Sequence, residues 1–261
     1  MPLSKLKKVW DYCSYNVVFF IFICLLIFFF NLLPDYSTTY FGWEVGRLTQ
    51  VIVLILLNGY GMIIAHDRIN HGYRLPKIIP SDVVNFGIKS TIVYAIFVSF
   101  QTFLLSVTTL LFGVPIFDLH ELLLHYRETI HMFFINSPEY MLMFIIIGGV
   151  VFYITAFLAE IGLARLADTK SILQAFNVKA IYKSIRIFGF RNYVREYTVI
   201  ILLITILTLI KSISLHDFAL DNLWEMVFGF LIFATQYLGI GAVYCEIKDA
   251  QIKSEQFKES S

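Results

Sequence analysis

Charge is what this chain has least of. Asp, Glu, Lys and Arg make up only 15% of its 261 residues, against 58% hydrophobic ones, which excludes an ordinary soluble domain and makes the bilayer the expected solvent. A net charge of +1 is too small to point to nucleic acid. There are 3 cysteines: Cys24 falls inside the first apolar run, and Cys13 and Cys245 fall at edges predicted to be cytoplasmic, so a disulfide framework is not expected. None of the 6 prolines interrupts an apolar run, which weighs against the broken helices of many transporters. No Asn-x-Ser/Thr acceptor occurs, and glycine-rich phosphate loops, nucleophile elbows and glycosidase-like carboxylate pairs are missing too. We therefore expect no enzyme and no cofactor.

What the chain does have is long apolar runs. About 20 mostly apolar residues cross the roughly 30 Å of hydrocarbon as a helix. Such runs lie near residues 17–33, 48–65, 91–112, 140–163, 197–215 and 223–244, the first of them short and the fifth containing Lys211. Stretches such as IFICLLIFFF and VIVLILL are apolar on every side, unlike the alternating strands of a membrane barrel. The expected fold is all-α: one integral membrane domain over residues 1–261, a polytopic bundle of six spans. The first run ends in bulky NLLPDY rather than a small-residue cleavage site, so it reads as a retained signal anchor.

Cations set the orientation, because cytoplasmic loops accumulate Lys and Arg. Of 20 such residues, 17 fall in the amino-terminal segment, the second and fourth loops and the tail, while the alternate segments hold only Arg47, Arg127 and Lys211. Both termini are thus predicted to be cytoplasmic, in a cell membrane. The large connections on this side also look amphipathic. In KSILQAFNVKAIYKSIRIFGF, Ile172, Leu173, Phe176, Ala180 and Ile185 recur at helical spacing, and Lys179, Lys183 and Arg186 point elsewhere as candidates for lipid headgroups. A cytosolic helix packed on the bundle fits the same pattern.

Starts and ends of the spans carry local signals as well. After Pro80, Ser81 and Asp82 can start a helix that runs from Val83 into the third span, and Ser137 and Pro138 can open the fourth. The even spans end in GYGMIIAHDR, EIGLARLADTK and YLGIGAVYCEIKD, small residues followed by charge, and Gly61-x-x-x-Ala65 and Thr235-x-x-x-Gly239 allow close helix approach.

Gly59-Tyr60-Gly61, then HDRINHG, then Leu75-Pro76 and an amphipathic entry into the next span together resemble the polytopic family known as domain of unknown function 4013 (DUF4013). The segment Glu160 to Ala167, followed by the Ala175-Phe176 helix, looks like that family's second cytoplasmic connection, and the likeness extends from about Gly59 to Tyr244. The chain departs from the family after Leu75-Pro76, reading KIIPSD where members often carry acidic residues and Trp. The resemblance implies a multi-spanning protein of archaeal or bacterial membranes and supplies no activity.

Few side chains are placed for chemistry. In the third loop, predicted to be on the outer side, Glu121, His125 and Glu128 share one helical face and could ligate a divalent ion, although H-E-x-x-H is not formed and a helix resting on the membrane with its polar residues in water explains them more simply. Glu160 lies about one turn from the cytoplasmic end of its span, where it can pair with Arg165 or relay a proton. Asn58, Gln101 and Gln236 are uncharged polar groups that either bond helix to helix or line a path. Three functions follow from these readings: a non-enzymatic membrane scaffold or accessory subunit with a membrane-protein partner or a second copy, a small-molecule or ion transporter, and an outer-face metal-binding protein.

Overall fold

The structure, a computed structural model, describes residues 11–12, 17–32, 40–111, 138–213 and 218–259. Every regular element among the described residues is a helix: α1 (Val17–Leu32), α2 (Tyr40–Ile69), α3 (Pro80–Leu111), α4 (Pro138–Thr169), α5 (Ile172–Ala175), α6 (Val178–Phe188), α7 (Phe190–Lys211) and α8 (Phe218–Glu259). In hydrocarbon a peptide group finds no water, and a helix satisfies its amides within one segment. Among the described residues, five stretches are long and apolar enough to cross a membrane: Thr49–Ile69, Pro80–Val107, Ile146–Thr169, Phe190–Lys211 and Leu223–Lys253. The remaining expected span contains α1, described over Val17–Leu32.

Helix boundaries follow the local signals. Pro80 is the first residue of α3, three residues ahead of the expected start at Val83, and Asp82 falls within its first turn. The fifth span differs. It runs from Phe190 to Lys211 rather than 197–215, because Gly189, at φ 91°, turns the chain sharply out of α6 and lets α7 begin earlier. The expected signal-anchor ending at Pro34 and the Ser137 cap lie outside the described residues.

The chain divides into two compact units, one made of residues 1–93 and 160–261, the other of residues 94–159. In the first unit α8 packs against α1, α2, α6 and α7. Its contacts also fix directions. Asn58 meets Tyr237 and Ala65 meets Gly241, so α2 and α8 run parallel. A Cβ on Gly59 would fall on the Val83 carbonyl oxygen and one on Gly87 on the Ile55 carbonyl oxygen, so α2 and α3 are antiparallel with backbones almost touching. Ile200 lies against Gly239 while Trp224 Nε1 donates to the Ile210 carbonyl oxygen at 3.2 Å, so α7 and α8 are antiparallel too. Tyr60, Tyr193, Tyr197 and Tyr237 fill the interior, whereas Val51, Ile52, Leu54, Ile206 and Leu209 face outward as lipid-facing residues do.

The second unit comprises the later part of α3 and the earlier part of α4. It exposes Val98, Phe100 and Phe103 on α3 and Ile146, Val150, Phe152 and Ile154 on α4. Its hydroxyls bond back to their own helices, Thr102 to the Val98 carbonyl and Ser106 to the Thr102 carbonyl at 2.9 Å each, and Thr155 to the Val151 carbonyl at 2.8 Å. Bonds of this kind satisfy a hydroxyl without any second helix.

The α2–α3 crossing tolerates no side chain at its glycines. Gly59→Leu should destabilise the protein by about 1–3 kcal/mol or more through overpacking against backbone, whereas a Cβ at Gly148 meets nothing within 4 Å and Gly148→Ala should be neutral. Thermal unfolding in detergent, followed by the fraction remaining monodisperse, reads both; equal behaviour of the two variants would contradict the crossing.

Candidate functional site

The polar side chains of the first unit collect where α2 and α4 end, against the stretch of α8 from Gly241 to Asp249. The small residues Gly61, Ala65, Ala164, Ala167 and Gly241 bring the three helices close together there. His66 Nδ1 donates to the Ala167 carbonyl at 2.7 Å, tying α2 to α4. Lys248 Nζ bonds Asp168 Oδ1 at 2.8 Å, tying α8 to α4. Lys89 Nζ donates to the Lys170 carbonyl at 2.9 Å, adding the start of α3.

A hydrogen bond from Tyr60 Oη to the Pro76 carbonyl at 2.8 Å folds the connection after α2 back onto that helix, with Leu75 buried beneath. Gly59-Tyr60-Gly61 and Leu75-Pro76 are therefore one structural device, with Gly59 facing α3 and Gly61 facing the Tyr237 ring.

Deeper in the span, Tyr237 Oη donates to Asn58 Oδ1 at 2.8 Å. Asn58 is thus a bond between α2 and α8, as uncharged polar residues in membranes commonly are. Gln236 is half-buried one position earlier, and Gln101 is half-buried in the other unit.

Glu160 is only 7% exposed, and its Oε2 has no hydrogen-bond partner among the described residues. It lies close enough to Tyr197 on α7 to act on that phenol electrostatically, and the Tyr197 ring meets Tyr193 edge-on at 4.4 Å. The expected pairing with Arg165 is not what the guanidinium does. Arg165 donates from Nε to the Gln174 carbonyl at 2.9 Å and from Nη2 to Gln174 Oε1 at 3.1 Å, fastening α5 to α4. Residues five apart on a helix diverge by about 140°, so Glu160 and Arg165 leave α4 on different sides.

The amphipathic connection also differs in detail. Asn177 accepts from the Ala180 amide at 3.1 Å and caps a new helix, so the expected single helix is split into α5 and α6. The split divides the expected apolar face: Leu173 is 83% exposed, while Ile181 and Ser184 are buried. Gln251 Nε2 donates to Ser184 Oγ at 2.9 Å, and α6 packs on α8 and α7. Lys179, Lys183 and Arg186 lie on its exposed side with Val178 and Tyr182. The segment is docked on the bundle, as one of the two expectations has it, and its outer face carries these cations beside Val178 and Tyr182.

The outer-loop residues Glu121, His125 and Glu128 lie outside the described residues. One cluster was not anticipated: His71, Cys245 and Asp249 come together at the basic end. Cys245 and Asp249 are four apart on one face of α8, a readable signal, but His71 is 174 residues away in sequence from Cys245 and its proximity is purely tertiary.

The Asn58–Tyr237 bond has a measurable strength. Tyr237→Phe should cost about 0.6–2 kcal/mol, and Asn58→Ala combined with it should cost no more than the larger single change. Unfolding of the four proteins in mixed micelles completes the cycle; additive losses would show that the two side chains do not interact.

A family model described as protein of unknown function (DUF4013) matches residues 47–215. No curated protein and no solved structure matches the chain.

Proposed function

The chain belongs to the DUF4013 family, and from the way its polar groups are used we propose that it is a non-enzymatic membrane scaffold or accessory subunit of a cell membrane, with six spans and cytoplasmic termini. The observation that carries this reading is the division of labour among polar side chains. Those of the even spans are engaged in helix-to-helix bonds, within the span in Asn58–Tyr237 and toward its end in His66–Ala167 and Lys248–Asp168. The cations of α6 instead face outward beside apolar residues, on a helix held firmly to α8. A surface of that composition suits the headgroup level of an anionic leaflet, where it would present the bundle to a membrane-protein partner or a second copy.

Parallel α2 and α8, and the shared end of α2, α4 and α8, support this topology, because helices separated by an even number of crossings must point the same way. The cations of the connecting segments lie at that end, which is the cytoplasmic one by the positive-inside rule.

Purification from the native membrane in mild detergent, with proteins and lipids quantified by mass spectrometry, tests the proposal. A stoichiometric protein partner is expected. Reversing Lys179, Lys183 and Arg186 to Glu should remove about 1 kcal/mol of headgroup attraction per cation, or on the order of 100-fold in anionic-vesicle affinity together. A protein that emerges alone and whose vesicle binding ignores these reversals would overturn the scaffold reading.

A second reading, a small-molecule or ion transporter, is favoured by one observation, the buried Glu160 carboxylate with its unpartnered Oε2 beside Tyr197. On that reading Glu160→Gln abolishes flux in proteoliposomes while expression and unfolding temperature stay unchanged; flux that survives the substitution would remove Glu160 from any pathway.

A further inference from the structure

We infer that His71, Cys245 and Asp249 form a binding site for a divalent transition-metal ion, zinc above all, clasping the turn after α2 to α8. The three side chains offer one imidazole nitrogen, one thiolate and one carboxylate oxygen, all within 4.8 Å of one another. His71 Nε2 lies 3.4 Å from Asp249 Oδ1 and 3.9 Å from Cys245 Sγ. A tetrahedral zinc ion with its usual bond lengths separates a nitrogen from an oxygen ligand by about 3.4 Å and from a sulfur ligand by about 3.6 Å. The two spacings to His71 Nε2 lie within a few tenths of an ångström of those of a coordination shell, and Cys245 and Asp249 are within 4.8 Å of each other.

Independent features point to the same use. Cys245 and Asp249 sit one turn apart on α8, a rigid base for two ligands. His71 is held at φ 61°, a left-handed conformation that glycine adopts more easily, so an imidazole is fixed where local backbone geometry alone does not call for one. The turn that holds it is built from its own bonds: the His71 amide to the Arg68 carbonyl at 3.2 Å, the Gly72 amide to the Asp67 carbonyl at 2.8 Å, and Arg68 Nη1 to the Gly72 carbonyl at 2.9 Å. Tyr12 Oη bonds Asp67 Oδ2 at 2.7 Å and braces the same turn.

Charge and access agree with this assignment. Thiolate and carboxylate together balance a doubly positive ion. The His71 side chain is 68% exposed, leaving an entry path, and three protein ligands leave a fourth position for water. The set of borderline-soft nitrogen and sulfur with one oxygen favours zinc over magnesium or calcium, which take oxygen alone.

The test uses the full chain in detergent with a reductant, stripped by chelator and titrated with zinc(II) and, separately, cobalt(II). Binding of one ion per chain, with a near-ultraviolet sulfur-to-cobalt charge-transfer band that Cys245→Ser abolishes, is the expected result. Asp249→Asn should weaken affinity by at least the roughly 10–100-fold that loss of an outer-shell partner costs. His71→Gly removes a ligand while keeping the left-handed turn, so its weakened binding cannot be ascribed to misfolding, and metal-free unfolding temperatures check this. No stoichiometric uptake, or uptake that Cys245→Ser, Asp249→Asn and His71→Gly all leave unchanged, overturns the site; so does uptake lost only on His125→Ala, which would place the ion in the outer loop.

Discussion

The seating of the Tyr237 ring over Gly61, with its hydroxyl on Asn58, is the contact on which the rest of the structure depends. Two helices running in the same direction have no short loop to align them, so their register has to be set by side chains. A ring lodged where a Cβ would clash, and a hydrogen bond that hydrocarbon leaves no alternative to, fix both rotation and translation. One turn further, Ala65 meets Gly241, and one turn beyond that His71 meets Cys245. Each lower contact inherits its alignment from the one above.

Lipid is as apolar as the bundle interior, so burial of apolar surface does not by itself assemble these helices. Close backbone approach does, and it explains the distribution of small residues. Gly59 and Gly87 allow α2 and α3 to touch, Gly239 receives Ile200 from α7, and Ala164 and Ala167 are wholly buried at the end of α4. Charged groups at that end can then be bonded over short distances without spanning gaps. The large apolar residues turned outward on α2, α3 and α7 contribute by matching the solvent rather than by packing.

Much of this was legible in the sequence, for a physical reason: a bilayer imposes its thickness on any segment that crosses it. The apolar runs marked five of the spans, Pro80 and Asp82 marked the start of α3, and Gly59-Tyr60-Gly61 with Leu75-Pro76 marked a device that Tyr60 and the Pro76 carbonyl complete. What the runs could not show was pairing. Helical periodicity assigned Leu173 to an inner face because it assumed an unbroken helix, and Asn177 interrupts that helix by capping the next one. Spacing brought Glu160 near Arg165 along the chain, yet helical rotation separates them and Gln174 intervenes as the partner. His71, Cys245 and Asp249 share no local pattern, since the turn after α2 meets the far end of α8 only in three dimensions.

Helix α8 is a continuous rod of 42 residues, about 63 Å long, against the roughly 40–45 Å of a bilayer with its headgroups. Gln251, Lys248, Cys245 and Tyr237 all sit on this one unbroken helix, so a rotation of about one residue, roughly 100°, would displace each of them from its partner. The contacts from Ser184 down to Asn58 are thereby strung on a single element.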